Sequence, residues 1–245
     1  MKCRSIIIAS LTTSLITSFA AAKDLTVGVE NIEYYPIYSI QNGKYVGAAQ
    51  EILDAFATKY NHNITYKPLP VKRLFNEFVE EKVDLKFPDN AYWAQDLKKG
   101  KDVKYSASTI EYIDGVMVLP KNKAKGGLKK LGTMRGFTPW EFLGDIKAGR
   151  VQTNEQIKLD SLMKLVSSGR IDGVYFNTKV SEYYLKHSDF DNNLVVFDES
   201  LPHTRSAYHL SSIKHGDIIK QFDEFLEQEA AMIDEIKTKY EIKLN

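Results

Sequence analysis

The feature that most limits what this chain can fold into is an alternation, repeated along its length, of short β-branched runs with amphipathic stretches of helical spacing. Residues 25–29 (L-T-V-G-V) read as a strand, and after a turn at Asn42-Gly43 the residues Ala49, Ile52, Leu53, Phe56, Ala57 and Tyr60 recur at three-and-four spacing. A strand over 64–66, a helix over 71–81 with Leu74, Phe75, Phe78 and Val79 inward, and a strand over 83–87 follow. The β-α-β-α-β order implies a largely parallel sheet, because parallel neighbours need a crossover helix. Residues 115–120 form a strand stopped by Pro120, and the Lys- and Gly-rich segment 121–130 is a connector.

A second series then begins: strand 131–134, helix 138–147, strand 151–153, helix 154–168, buried strand 171–176, helix 178–186 and strand 194–197. A strand over 207–210 leads into one long final helix marked by Ile218, Ile219, Phe222, Phe225, Leu226, Met232, Ile233 and Ile236. Two α/β units joined by two strand-like crossings, near 116–119 and near 197–203, predict two lobes with a cleft between them. Ligands of open α/β sheets bind beyond the carboxyl ends of strands, and lobes of this kind close on a hinge. The predicted division is 1–22 as a signal peptide, 23–117 plus 205–245 as lobe 1, and 118–204 as lobe 2. No internal sequence repeat is evident.

Charge narrows the partners. With 33 Lys+Arg against 32 Asp+Glu, the chain lacks the basic footprint that binding to nucleic-acid phosphates requires. The first residues read differently from the rest: Lys2 and Arg4 precede an apolar run over 6–19, and Ala20-Ala21-Ala22 offers small residues for cleavage. That run is too short, and too interrupted by Ser and Thr, to span a bilayer, which takes about 20 apolar residues. It is expected to be a secretory signal. The only cysteine, Cys3, lies within it, so the mature chain has no disulfide and no Cys-ligated metal, which suits an oxidising, periplasm-like compartment.

Several motifs, taken in order, resemble one family. L-T-V-G-V-E from Leu25, then Tyr35-Pro36-Ile37-Tyr38 and Gly43-Lys44-Tyr45-Val46-Gly47 before a helix, are similar to the opening of the family 3 extracellular solute-binding proteins, which serve polar-amino-acid ABC importers. The similarity runs on through Val83-Asp84, Val103-Lys104-Tyr105-Ser106, Gly132-Thr133-Met134-Arg135-Gly136-Phe137-Thr138 and Gly169-Arg170-Ile171-Asp172-Gly173-Val174, nearly the whole mature chain. The resemblance implies a two-lobed, periplasmic-binding-protein-like α/β fold of type II, each lobe a mostly parallel sheet flanked by helices. It also implies a monomer that captures a small molecule and docks on a membrane ABC permease, with no cofactor.

Two departures bear on the ligand. Relatives that hold α-amino acids place an Arg about four residues before the segment matching Val103-Lys104-Tyr105-Ser106; that place falls here on Lys99, a point charge rather than a planar fork. Their ammonium-binding Asp corresponds to Asn177. Both argue against an ordinary free α-amino acid and for a small polar or zwitterionic metabolite.

The resemblance places Glu30 at the cleft, as an acceptor for a ligand cation, and Tyr35 as a stacking surface; the alternative for Glu30 is a partly exposed acid at a strand end. Tyr34 and Tyr38 read as core. Pro88-Asp89-Asn90-Ala91-Tyr92-Trp93 reads as a specificity loop in which Asp89 accepts, Asn90 does both and Trp93 forms a wall, or as an Asx turn. Arg73, at a helix start, faces either the cleft or solvent. Thr138 with Glu141 spells a capping box and Pro139 suits a first helical position, so a helix N-terminus with Arg135 beside it is expected to hold a ligand's anionic group.

Enzyme motifs are missing from the sequence: no H-E-x-x-H, G-x-S-x-G, Walker loop or G-x-G-x-x-G. His203, His209 and His215 are evenly spaced but straddle a strand and a loop, which does not suit a shared metal. One enzyme class stays open, a cleft dehydratase acting on a prephenate-like acid with Glu30 or Asp89 as acid or base. A ligand-binding component of a sensory system is the other alternative.

Overall fold

The computed structural model describes residues 22–244, so the signal-peptide reading lies, apart from Ala22, outside the described residues. The first half runs β1 (Asp24–Glu30), the hairpin β2 (Ser39–Gln41) and β3 (Lys44–Val46), α1 (Ala48–Tyr60), β4 (Asn63–Leu69), α2 (Val71–Val79) and β5 (Leu85–Asp89). A short α3 (Gln95–Lys98) and β6 (Lys104–Tyr105) lead to the long β7 (Ile110–Val118). The second half runs β8 (Lys130–Met134), a 3-10 turn Trp140–Phe142, α4 (Leu143–Lys147), β9 (Gln152–Gln156), α5 (Leu159–Ser167), β10 (Gly173–Asn177), α6 (Thr178–Lys186) and β11 (Val196–Phe197). A second long strand, β12 (Thr204–Ser212), is followed by α7 (Gly216–Gln228) and α8 (Ala230–Lys239).

The two halves repeat one topology without repeating a sequence. In the order β4-β1-β5 the first strand of the unit lies in the middle, and in β10-β8-β9 the first strand again lies in the middle, all parallel to it. Such an order places a switch point at the carboxyl end of each middle strand, where the connections leave to opposite sides and open a crevice. β1 ends there at Glu30 and β8 at Met134. β12 and β7 join the two triplets into one curled sheet, pairing antiparallel with each other, with β5 and with β10. The parallel sheet implied by the β-α alternation is therefore present in each half, with antiparallel pairing where the halves meet and in the separate β2–β3 hairpin.

Packing explains the elements. The apolar face of α1 (Ile52, Leu53, Phe56) is buried, and Phe56 packs edge-on against Phe222 of α7 at 5.1 Å and against Phe225 at 5.6 Å. The Asn42-Gly43 turn has positive φ at both residues, as a two-residue hairpin needs.

Four expectations change. The helix expected from 154 starts at Leu159, because residues 152–156 pair along β8 as an exposed edge strand whose polar side chains give no strand pattern. The expected strand at 115–120 is the end of a longer one that begins at Ile110. The final helix is broken at Glu229, which leaves helical geometry at φ −106° and ψ 23°. The capping box does not form: Pro139 precedes a three-residue 3-10 turn with no side-chain cap.

Candidate functional site

A cavity of about 370 Å³ opens where the two switch points face each other, lined by Glu30 at the end of β1, by Gly136, Phe137 and Thr138 after β8, and by β7 and β12 between them. Much of its wall is aromatic. Tyr34 stacks on Tyr38 at 4.9 Å, Tyr112 stacks on Tyr208 at 4.3 Å, and Trp93 stands 5.9 Å from Tyr208. From the far side Phe137 and Phe176 meet the Tyr34 ring at 5.9 and 5.1 Å, so the halves touch across the cleft.

Two carboxyls belong to this wall, buried Glu30 and half-buried Asp114. Glu30 is 3% exposed and accepts a 2.6 Å hydrogen bond from the Tyr38 hydroxyl. Burial pushes its pKa up, against the opposing pull of Lys86 and of the Tyr38 bond. Asp114 lies on β7 between two cross-strand partners, Asn177 of β10 and Thr204 of β12. Its Oδ1 is buried without a hydrogen-bond partner, and burial, reinforced by Glu141 and Glu30 and opposed by Asn177, raises its pKa to about 7. A third acid stands behind the wall: Glu141 accepts from Tyr175 at 2.8 Å and from the Thr204 hydroxyl. It is the residue the capping box needed, and its bonds to β10 and β12 account for the missing cap.

Of the residues singled out from sequence, Glu30, Trp93 and Thr138 line the cavity. Asn177 stands one layer behind: it caps α6 by accepting from Val180 N at 3.0 Å and reaches the Tyr208 hydroxyl at 3.3 Å. Asp89 and Asn90 are interior scaffolding. Asp89 accepts from Ser211 at 2.7 Å and Lys98 at 3.0 Å, while Asn90 donates to Ser206 and to the Ala207 carbonyl, both at 3.0 Å. Asn90 also accepts from the Tyr92 N–H, so the Asx turn is present.

The cations sit elsewhere than the resemblance implied. Lys99 is exposed at the end of α3, and its neighbour Lys98 is the one turned inward, bonded to Asp89, the Asn90 carbonyl and the Tyr105 hydroxyl. The left-handed turn at Ala94 sets that register. Arg73 pairs with Glu77 at 2.7 Å outside the cavity, and the adjacent Lys72 lines it instead. Arg135 is exposed and does not line the cavity. Tyr35 packs on Tyr183 at 4.8 Å and Tyr240 at 6.0 Å, away from the cavity wall.

The residues that sequence reasoning passed over are Tyr112, Asp114, Tyr175 and Tyr208, and it assigned Tyr34 and Tyr38 to the core alone. Both are buried and also face the cavity. A signal existed on β7, where Tyr112 and Asp114 share one face two residues apart. Starting the strand at 115 hid it.

No protein-family model and no curated protein matches the chain. Solved structures do. An ancestral arginine-binding protein bound to arginine superposes with a TM-score of 0.70 at 21% identity, covering 89% of this chain and 97% of that one. A substrate-binding protein of an ABC uptake transporter from Streptococcus pneumoniae, with bound histidine, gives 0.69 at 21% identity over 89% and 92%. A histidine kinase sensor domain with similarity to periplasmic binding proteins gives 0.71 at 16% identity over 88% and 95%. At these identities the likeness speaks for the fold: the chain has the two-lobed α/β fold of the periplasmic-binding-protein-like, amino-acid-binding proteins.

Proposed function

We propose that this chain is an exported solute-binding protein that closes its two lobes on a small polar metabolite and hands it to a membrane ABC permease. One observation carries the reading: a cavity of small-molecule size, walled by aromatic rings and two carboxyls, lies where the middle strands of two repeated α/β units end. Pockets of this size and make-up, at switch points, are where small ligands are held. The lobes are residues 23–117 with 205–245, and 118–204. The cavity-lining residues Glu30, Trp93 and Thr138 are the proposed ligand contacts from the sequence, joined by Tyr34, Tyr38 and Asp114. Among the described residues no helix is long and apolar enough to cross a membrane, which is compatible with a periplasmic protein delivered by residues 1–22.

The likeness to a sensor domain supports a second reading, in which the same closure is read by a membrane receptor. The test begins with the mature chain, unfolded and refolded to strip co-purified solute, and a thermal-shift panel of amines, amino acids, organic acids and small sugars. A ligand at a hundred times its Kd adds about 2.7 kcal/mol to stability. A saturable shift for at least one solute is expected, and a flat response across the panel overturns the reading. Uptake of that solute by cells with and without this chain separates import from sensing.

A further inference from the structure

The cavity carries an unequal stock of acceptors and donors. Three of its wall hydroxyls have their protons committed to carboxylates: Tyr38 donates to Glu30, and Tyr175 and Thr204 donate to Glu141. Each is left presenting lone pairs, since a hydroxyl has one proton to give. Asp114 adds an acceptor, Oδ1, that is buried with no partner at all. A buried acceptor without a donor is unfavourable, and a ligand N–H relieves it.

The charges are unequal in the same direction. Beneath the wall, Lys86 and Lys98 share Asp89, at 3.4 and 3.0 Å, and Lys86 also lies 4.1 Å from the Phe75 ring centroid. Both lysines are paired with Asp89, and among the described residues neither Glu30 nor Asp114 forms an ion pair. The only cationic side chain lining it, among the described residues, is exposed Lys72, and no guanidinium lines it. A ligand carboxylate would meet acceptors and carboxylates. An organic cation would meet them too, together with the faces of Tyr34, Tyr38, Tyr112 and Tyr208, each able to make a cation–π contact.

We propose that the solute is a small amine or guanidine cation that carries no carboxylate, held with its N–H groups on Asp114 and Glu30 and its carbon skeleton against the tyrosine rings. This rests on the solute-binding reading and names the ligand class of the same cavity. Asp114 is faced by Glu30 from β1, Glu141 from the 3-10 turn, Asn177 from β10, Thr204 from β12 and the phenols of Tyr34 and Tyr208. With the acid near 7 in the empty cavity, pairing with a cation requires it to release its proton, so binding tightens as pH rises.

The test uses matched pairs that differ by one carboxylate: agmatine against arginine, cadaverine against lysine, histamine against histidine, titrated into the refolded mature chain by calorimetry at pH 6 and pH 8. The expected result is that at least one amine binds ten or more times more tightly than its parent amino acid. Its affinity should rise about tenfold from pH 6 to pH 8, with proton release seen by comparing two buffers of different ionisation enthalpy. Asp114→Asn should abolish the pH dependence and weaken the amine at least tenfold, its fold checked by near-ultraviolet circular dichroism. An amino acid that binds as tightly as its amine overturns the inference while leaving the solute-binding reading standing. Silence of all six overturns the inference as well, and only silence across the wider panel overturns both.

Discussion

Tyr38 gives its hydroxyl proton to Glu30 Oε2 across 2.6 Å, and both residues are at most 3% exposed. The bond works against the burial that pushes the Glu30 pKa up, and it fixes the carboxyl at the carboxyl end of β1, where the cavity begins. Tyr38→Phe removes the donor and keeps the ring that stacks on Tyr34. The expected outcome is a destabilisation of about 1–3 kcal/mol by denaturant titration, the range for an orphaned buried acceptor. A further rise in the Glu30 pKa, followed by its side-chain carbon resonance through a pH titration, should accompany it. An unchanged resonance would mean the hydroxyl does not hold that proton in solution.

Asp114 makes the empty protein less stable as the medium becomes less acidic. Its folded pKa of about 7 stands above the reference value of 3.8, so between those values the native state keeps a proton that the unfolded chain has lost. The contribution is fully present below about pH 4 and is lost as pH rises to about 7, because stability falls with pH wherever the native state binds more protons. At about 1.4 kcal/mol per pH unit, the displacement from 3.8 to about 7 amounts to about 4 kcal/mol. Asp114→Asn, a neutral group of the same shape, should raise the melting temperature at pH 8 and leave it little changed at pH 4. Equal effects at both values would place the Asp114 carboxyl in its ordinary range.

Neighbouring lysines at the end of α3 should behave oppositely. Lys98 donates to Asp89 at 3.0 Å, to the Asn90 carbonyl at 2.8 Å and to Tyr105 at 2.9 Å, and it is 7% exposed. Lys98→Met takes one of two cations from a buried acid and is expected to destabilise by about 3–5 kcal/mol. Lys99→Ala, on an exposed side chain, should stay within about 0.5 kcal/mol. Urea midpoints of the two variants decide this, and a large loss from Lys99→Ala would reverse the register of the segment.

That one-residue difference shows where the sequence was legible and where it was not. Long periodic elements could be read: α1, α2 and the β-α alternation follow from apolar spacing, and α6 appears over its full length, Thr178–Lys186. Elements without an apolar pattern could not. β9 is held by backbone pairing along β8, and its Q-T-N-E-Q side chains leave no periodicity to detect. In the site, Glu30, Trp93 and Thr138 were within reach because they end strands or follow them. Asp114 and Tyr208 were not, because each sits inside a strand, where a polar or aromatic residue reads as core until cross-strand register is known. The capping pattern at Thr138 misled for a related reason, since Glu141 has a tertiary partner, Tyr175, that is remote in sequence.

Tyr35, expected to stack on ligand, instead packs its ring on Tyr183 of α6 at 4.8 Å and on Tyr240, just past α8, at 6.0 Å. The Tyr183 contact joins the proposed lobes outside the cavity, so it favours the closed arrangement without touching a solute. An aromatic pair is worth about 0.5–1.5 kcal/mol beyond its area. If Tyr35→Ala removes about 1 kcal/mol from closure alone, the closed population falls about fivefold where it is the minor state, and apparent affinity falls by the same factor. The variant should therefore bind about fivefold more weakly while keeping its order of preference among solutes. A changed order of preference would place the ring at the ligand after all.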